Sequence, residues 1–507
     1  MKNNFAKWKP YIFLAILLLS LIPLIWLGRY NYPTGDDYYY GAETHLVWQQ
    51  TGSIIQTLDA ACAGVADSYQ IWQGTYSALF LMYLAPNVFS NTAYHLVTFV
   101  ILLLLCGGIF YLLCPLFRRF LPGTCGEWIT VSSILSFLCI QTVKFQCDSF
   151  YWYNGSMYYT GFFAVTLFFL GTLFRYLDNG KRILLLPLLL FAVFLGGGNY
   201  VSLLPCMLLS VTITLLLLLQ KNKKAYICGI TSVVLLLSFA VSAIAPGNHV
   251  RQSGMWKIPA WKAIAKCLLQ GIRYTLAWTG LWWVLAALLL LPVFLRILQK
   301  KNGAFFSHPI LFTGYAYGLF CSMSCPLFYT MNSTGPGRAV AIVYYMFLLI
   351  SFTVFFYWIG FVVLKMQARP NPPERIEVSG KLNTARYLAM AVLLFSILCT
   401  GLWQETSAMK AIRVLTDGEA AAYAAEYEDR LLLLNDPEVT DVILTPFTHQ
   451  PAVISPVTRK IPPAGRSLSI SKRHRCMSIT ATTDNKWPAY SVYTKKDISN
   501  LRKCPFS

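Results

Sequence analysis

Long apolar stretches separated by short, mostly basic connectors organise this chain up to about residue 402. A bilayer core of about 30 Å needs about 20 apolar residues in a helix that rises 1.5 Å per residue. Runs near that length begin at Tyr11, Thr92, Trp128, Gly155, Ile183, Val201, Ala225, Thr275, Phe306, Ala339 and Tyr387. The pattern predicts an all-α polytopic membrane protein with about 11 transmembrane helices, in a range of 10–12. The first run follows Lys2, Lys7 and Lys9 and ends at Trp26-Leu27-Gly28-Arg29 with no small-residue cleavage site, so it reads as a retained signal anchor. The stretch 183–219 is interrupted by Gly196-Gly197-Gly198-Asn199. Both of its flanks are basic, which requires an even number of crossings: two short helices or a re-entrant hairpin.

Residues 29–91 form the longest polar interval before 402, and their period changes twice. Ile54, Leu58, Ala61 and Val65 repeat at helical spacing, and Tyr69, Trp72, Tyr76 and Tyr83 continue as an aromatic stripe. Two amphipathic helices lying in the membrane interface are expected there. Beyond 402 the apolar runs stop. The stretch from Asp417 to Leu434 predicts a helix, and Val439–Leu444 and Ala489–Tyr493 predict short strands. The expected division is a transmembrane domain over 1–402 and a small α+β domain over 403–507.

Composition agrees with the pattern. Of 507 residues, 56% are hydrophobic and 12% charged, about half the charged fraction of a soluble domain, and mean hydropathy is +0.53. This excludes an ordinary soluble protein, a disordered chain and a small disulfide scaffold. The net charge of +20 comes from basic clusters between apolar runs, as the positive-inside rule describes, and does not form a nucleic-acid footprint. With the N-terminus cytoplasmic, alternate connectors hold 19 of the 27 basic residues before 403. The segments 29–91, 144–154, 196–200, 245–274 and 326–338, and the tail from 403, then lie outside the cell. Most of the fourteen cysteines sit singly in apolar runs, as small hydrophobes. Cys321 and Cys325 lack the partners of a zinc site, whereas Cys476 and Cys504 could bridge in an outer tail.

The apolar runs contain no Asp, Glu, Lys or Arg. Ion-coupled carriers keep such groups near the midplane, so chemistry is expected at one membrane surface. Five of the ten acidic residues before 403 lie in 29–91, and Asp36 and Asp37 follow the first run closely, in Tyr32-Pro-Thr-Gly-Asp-Asp-Tyr-Tyr-Tyr40. A carboxylate held among tyrosines near the bilayer suits a general base; Asp37 could equally cap a helix starting near Gly41. Trp72 and Tyr76 could stack on a sugar or simply anchor the loop. Arg251, Lys257, Lys262, Lys266, Arg273 and Arg338 break the charge rule by lying in outer segments. Arg251 and Arg338, each after a Pro-Gly turn, could hold a lipid-linked phosphate bidentately or meet anionic headgroups. Phe150-Tyr-Trp-Tyr-Asn-Gly-Ser156 and Gly196-Gly-Gly-Asn-Tyr-Val-Ser202 place aromatics beside amides, as carbohydrate sites and interfacial belts both do. Asp148 and Lys144 could pair with each other. His95 and His308 read as packed, and no protein metal site is expected, although loop carboxylates with a substrate phosphate could hold Mg2+ or Mn2+.

The ordered set Gly35-Asp36-Asp37-Tyr38, Trp72-Gln-Gly-Thr-Tyr76, Tyr151-Trp152-Tyr153-Asn154-Gly155 and Pro246-Gly247-Asn248…Arg251 resembles the GT-C glycosyltransferases, and most closely a bacterial membrane-protein family of unknown function grouped with them. The resemblance implies a sugar donor carried on a polyprenyl phosphate, an envelope glycan or lipid as acceptor, and an acidic residue of the first loop as base, Asp37 in preference to Asp36. It implies substrate contacts from Arg251, Arg338, Asn248, Tyr38, Trp72, Tyr76, Trp152, Asn154 and Asn199. The rival expectations are a facilitator for lipid-linked sugars and a non-catalytic subunit of an envelope-assembly complex. Membrane lipids are expected partners in every case.

Overall fold

The computed structural model describes residues 2–299, 303–370, 380–435, 441–444, 446–455, 468–471 and 478–481. Each of the eleven apolar runs contains a helix. Eight of these helices are long and apolar enough to cross a membrane: Pro10–Tyr30, Asn91–Arg118, Tyr153–Asn179, Tyr200–Leu219, Ala225–Ala243, Leu281–Leu298, Gly337–Gln367 and Gly380–Cys399. A ninth candidate, Pro309–Ser322 with Cys325–Met331, is bent by 41° at its break. The remaining two runs give shorter helices. Cys125–Gln141 has 17 residues and spans about 26 Å, and Leu185–Gly196 has 12. The chain is thus a polytopic helical membrane protein, with eight helices of full membrane-crossing length, or nine if the bent pair is one span, among the described residues.

The glycine break at 197–199 divides the 183–219 stretch into two helices, Leu185–Gly196 and Tyr200–Leu219. Asn199 starts the second one by accepting a hydrogen bond from the Val201 N–H at 2.9 Å. The core lies where the spans meet the 147–163 segment, with Phe150, Tyr151, Phe163 and Tyr345 wholly buried.

Residues 29–91 differ from the expected pair of helices. They form Asp36–Thr51, Ile54–Ile71 and Tyr76–Tyr83, with short turns between. The first begins at Asp36, five residues earlier than expected. The aromatic stripe is divided, because the chain turns at 72–75. Tyr69 then donates to the Val241 carbonyl at 2.7 Å, Tyr76 to the Val193 carbonyl at 2.7 Å, and Tyr83 shares a hydrogen bond with Ser68. The Ala245-Pro-Gly-Asn248 turn is the start of the helix Pro246–Ser253, with proline at its first position, where no N–H is needed.

In the tail, Ser407–Thr416 and Glu419–Asn435 are helices, matching the one expected from Asp417. Ser407 Oγ donates to the Ile140 carbonyl at 2.6 Å, and Gln141 Oε1 accepts from the Ala408 N–H at 2.9 Å, so this segment is tied to the bundle. Strand Asp441–Leu444 pairs antiparallel with Leu468–Ser471, which pairs antiparallel with Ser478–Ala481. The expected strand at 489–493 and the Cys476 and Cys504 pair lie outside the described residues.

Candidate functional site

The acidic turn is built by Pro33, which fixes one backbone dihedral, and Gly35, whose φ of +53° disfavours any side chain. The turn sends its two carboxylates in different directions. Asp36 is half-buried at the surface of the turn. Asp37 is wholly buried, and its carboxylate accepts three hydrogen bonds. Tyr94 Oη donates to Oδ2 at 2.6 Å, the Thr34 N–H to Oδ2 at 3.0 Å, and the Asn154 N–H to Oδ1 at 3.1 Å. Tyr94 Oη in turn accepts from the Tyr153 N–H at 2.9 Å. Asp37 is therefore not an N-cap. It joins the turn to the start of the Tyr153–Asn179 span and to Tyr94. Burial raises its pKa from 3.8 to about 7, even though all three hydrogen bonds pull the other way.

The 147–161 segment wraps around this carboxylate in two wide π-type turns, Cys147–Tyr151 and Met157–Gly161, either side of a short helix, Tyr153–Ser156. Such turns widen a helix locally and re-aim its side chains. Among the described residues, the buried Asn154 amide has neither its Oδ1 nor its Nδ2 hydrogen-bonded, and the Trp152 Nε1–H, also buried, has no partner. Buried polar atoms of this kind are few in native proteins, and each calls for a reason. The Arg338 guanidinium lies 4.8 Å from the Trp152 ring centre and 5.7 Å from that of Tyr159. Its backbone N–H donates to Asp148 Oδ2 at 3.1 Å, so Asp148 meets Arg338 and not Lys144. Burial raises the Asp148 pKa, while the Arg338 charge and N–H oppose that rise.

A second arginine meets the turn at 72–75. Arg251, in the last turn of Pro246–Ser253, donates to Gln73 Oε1 and lies 5.0 Å from the Trp72 ring centre. Its positive charge opposes the rise that burial causes in the Tyr40 pKa. Tyr158 and Tyr159 meet edge to face at 4.9 Å.

Four of the expected substrate contacts make hydrogen bonds within the chain. Asn248 accepts from the Gly74 N–H at 3.1 Å and donates to the Ser242 and Ala243 carbonyls at 2.8 and 3.1 Å. Ser242 Oγ completes the clamp by donating to the Gly74 carbonyl at 2.8 Å. Glycine is required at 74 and at 247, because a Cβ at either would overlap backbone atoms of the other strand of the clamp. Asn199 is a helix cap. Tyr76 packs its ring on Gly197 and spends its hydroxyl on Val193. Tyr38 shares a hydrogen bond with Tyr427, in the tail. His95 packs edge-on to Tyr32 at 5.3 Å.

The structure thus brings together Asp37, Trp152, Asn154 and Arg338, with Asp36 beside Asp37 in the turn, while Arg251 pairs with Gln73 and Trp72. Tyr94 and Tyr159 sit within or beside apolar runs and carry no motif, so the sequence does not single them out; Gln73 lies inside the Trp72–Tyr76 motif. For a resident Mg2+ or Mn2+ the donor set does not fit. Asp37 is ringed by N–H and O–H donors, and no group of three His, Cys, Asp or Glu among the described residues could hold a metal. Comparison with family models, curated proteins and solved structures finds no match. The chemistry of the site must therefore be argued from its own geometry.

Proposed function

We propose that this protein is an integral-membrane glycosyltransferase of GT-C type, acting at the outer face of a plasma membrane. The reading sets the N-terminus in the cytoplasm, counts the shorter helices with the full-length ones toward eleven membrane passes, and places 403–507 outside as a small α+β appendage. One observation carries it: a carboxylate turn, an arginine stacked on aromatics and an unpartnered buried amide meet in one place. Aromatic faces cover sugar C–H surfaces while amides take hydroxyls, and a guanidinium matches a phosphate.

In the reaction, Asp36 takes the proton of the acceptor hydroxyl. The acceptor oxygen then bonds to the anomeric carbon of the donor. The bond from that carbon to the phosphate oxygen breaks, and polyprenyl phosphate leaves with the electron pair, its charge met by Arg338 and Arg251. Asp36 is assigned the proton transfer in place of Asp37, because Asp37 has no exposed atom and already accepts three hydrogen bonds. Asp37 positions the turn.

The test is mass spectrometry of envelope glycans and lipid-linked sugars from a deletion strain complemented with wild type or Asp36→Asn. Loss of a general base costs about 10²–10⁴ in rate. A sugar should vanish from the polymer while its polyprenyl-phosphate form accumulates, and Asp36→Asn, expressed at wild-type level, should not restore it. Full rescue by Asp36→Asn would remove the base assignment and favour a facilitator or an assembly subunit.

A further inference from the structure

The helix Ala260–Trp278 belongs to none of the candidate spans, though it has 19 residues. At about 100° per residue, its side chains sort into three adjoining sectors. Ala263, Cys267 and Gly271 are buried and form the packed sector. They face the bent Pro309–Met331 pair, where Tyr317 Oη donates to the Leu268 carbonyl at 2.5 Å and the Ile258 N–H to the Tyr329 carbonyl at 3.3 Å.

The second sector is apolar and uncovered: Trp261, Ile264, Leu268, Ile272 and Leu276, with Trp261 67% and Leu276 77% exposed. The third is cationic: Lys262, Lys266 and Arg273, all exposed. From Ala245 to Trp278 the chain carries five Lys or Arg and no Asp or Glu. None of the three cations meets a carboxylate among the described residues. Lys266 donates to Asn332 at 2.6 Å, on the loop that leads to Arg338.

A transmembrane helix carries its cations at its ends. Here they run along one edge of the helix, parallel to the apolar sector and for most of its length. A helix so divided lies in the interface plane, with one sector in the acyl chains and the next among the headgroups. The sign of the headgroup sector selects the lipid, because uncompensated cations attract anionic phospholipids.

We propose that the Ala260–Trp278 helix is a docking site for anionic phospholipid, whose phosphodiester headgroups meet Lys262, Lys266 and Arg273 while the acyl chains cover Trp261, Ile264, Leu268, Ile272 and Leu276. This assignment does not depend on the transferase reading, since none of these residues belongs to that site.

The test is native mass spectrometry of the full chain in detergent, titrated with phosphatidylglycerol or with phosphatidylcholine of the same acyl chains. Wild type should retain phosphatidylglycerol preferentially and melt at higher temperature in its presence. Each cation near an anionic surface is worth roughly fivefold, so the Lys262→Gln, Lys266→Gln, Arg273→Gln triple variant should bind about a hundredfold more weakly. Its melting temperature in phosphatidylcholine alone, equal to wild type, shows that it folds. The charge-conserving variant Lys262→Arg, Lys266→Arg, Arg273→Lys should bind as wild type does. Equal retention of the two lipids by wild type, unchanged phosphatidylglycerol binding by the triple variant, or full displacement of the lipid by millimolar inorganic phosphate would each overturn the proposal.

Discussion

Asp37 is a buried carboxylate whose proton is held more tightly in the folded chain than in the unfolded one, as its pKa rises from 3.8 to about 7. Between those values the folded state binds more protons, so stability falls as pH rises. The contribution is fully present below about 4 and is lost as pH passes through about 7, amounting to at most roughly 4 kcal/mol. Thermal melts in detergent from pH 5 to 8 should show wild type losing stability relative to Asp37→Asn across that window. A pH-independent difference between the two would refute the burial argument. The importance of the Gly35–Tyr38 turn was legible from its glycine, proline and paired acids. Which acid points inward was not, because Tyr94 and Asn154, 57 and 117 residues away, decide it.

At the scale of elements, hydrophobic period located every candidate span and the glycine break before Asn199. Three of its eleven runs give helices that are shorter or bent: the 17-residue Cys125–Gln141, the 12-residue Leu185–Gly196 and the broken Pro309–Met331 pair. The aromatic stripe misled for a related reason. Side chains at helical spacing continue past Ile71, but the helix ends there, and Gly74, lacking a side chain, lets the backbone pack directly on the end of Ala225–Ala243. The motifs at 72–76 and 246–251 bind each other, through Gly74 with Asn248 and Gln73 with Arg251. Asn248→Ala should therefore destabilise the protein by about 2–3 kcal/mol, since it leaves the Gly74 N–H and two carbonyls without their partner. The measurement is the melting temperature in detergent. A variant as stable as wild type but inactive would return Asn248 to the substrate.

Across the whole molecule, the helix Glu419–Asn435 closes over the acidic turn. Tyr427 stacks on Tyr32 at 4.1 Å and shares a hydrogen bond with Tyr38, while Tyr32 donates to Glu428 Oε1 at 2.9 Å. The Tyr427→Ala variant should accelerate amide hydrogen exchange at 31–40 by about tenfold or more, as local opening loses its stacked ring and hydrogen bond. Exchange at the Tyr200–Leu219 helix, which carries none of these contacts, should stay as in wild type. Unchanged exchange at 31–40 would mean that the bundle alone orders the turn.

The bond between Tyr38 and Tyr427 joins positions 389 residues apart. At roughly 5–20 residues per second, a ribosome that has delivered the first of them needs about 20–80 s to deliver the second. The spans insert during that interval, while the acidic turn lacks its tyrosine cover. Order of manufacture is thereby imposed on the fold: membrane bundle first, closed turn last. A chain halted shortly before residue 427 would carry all its membrane helices and an unfinished centre.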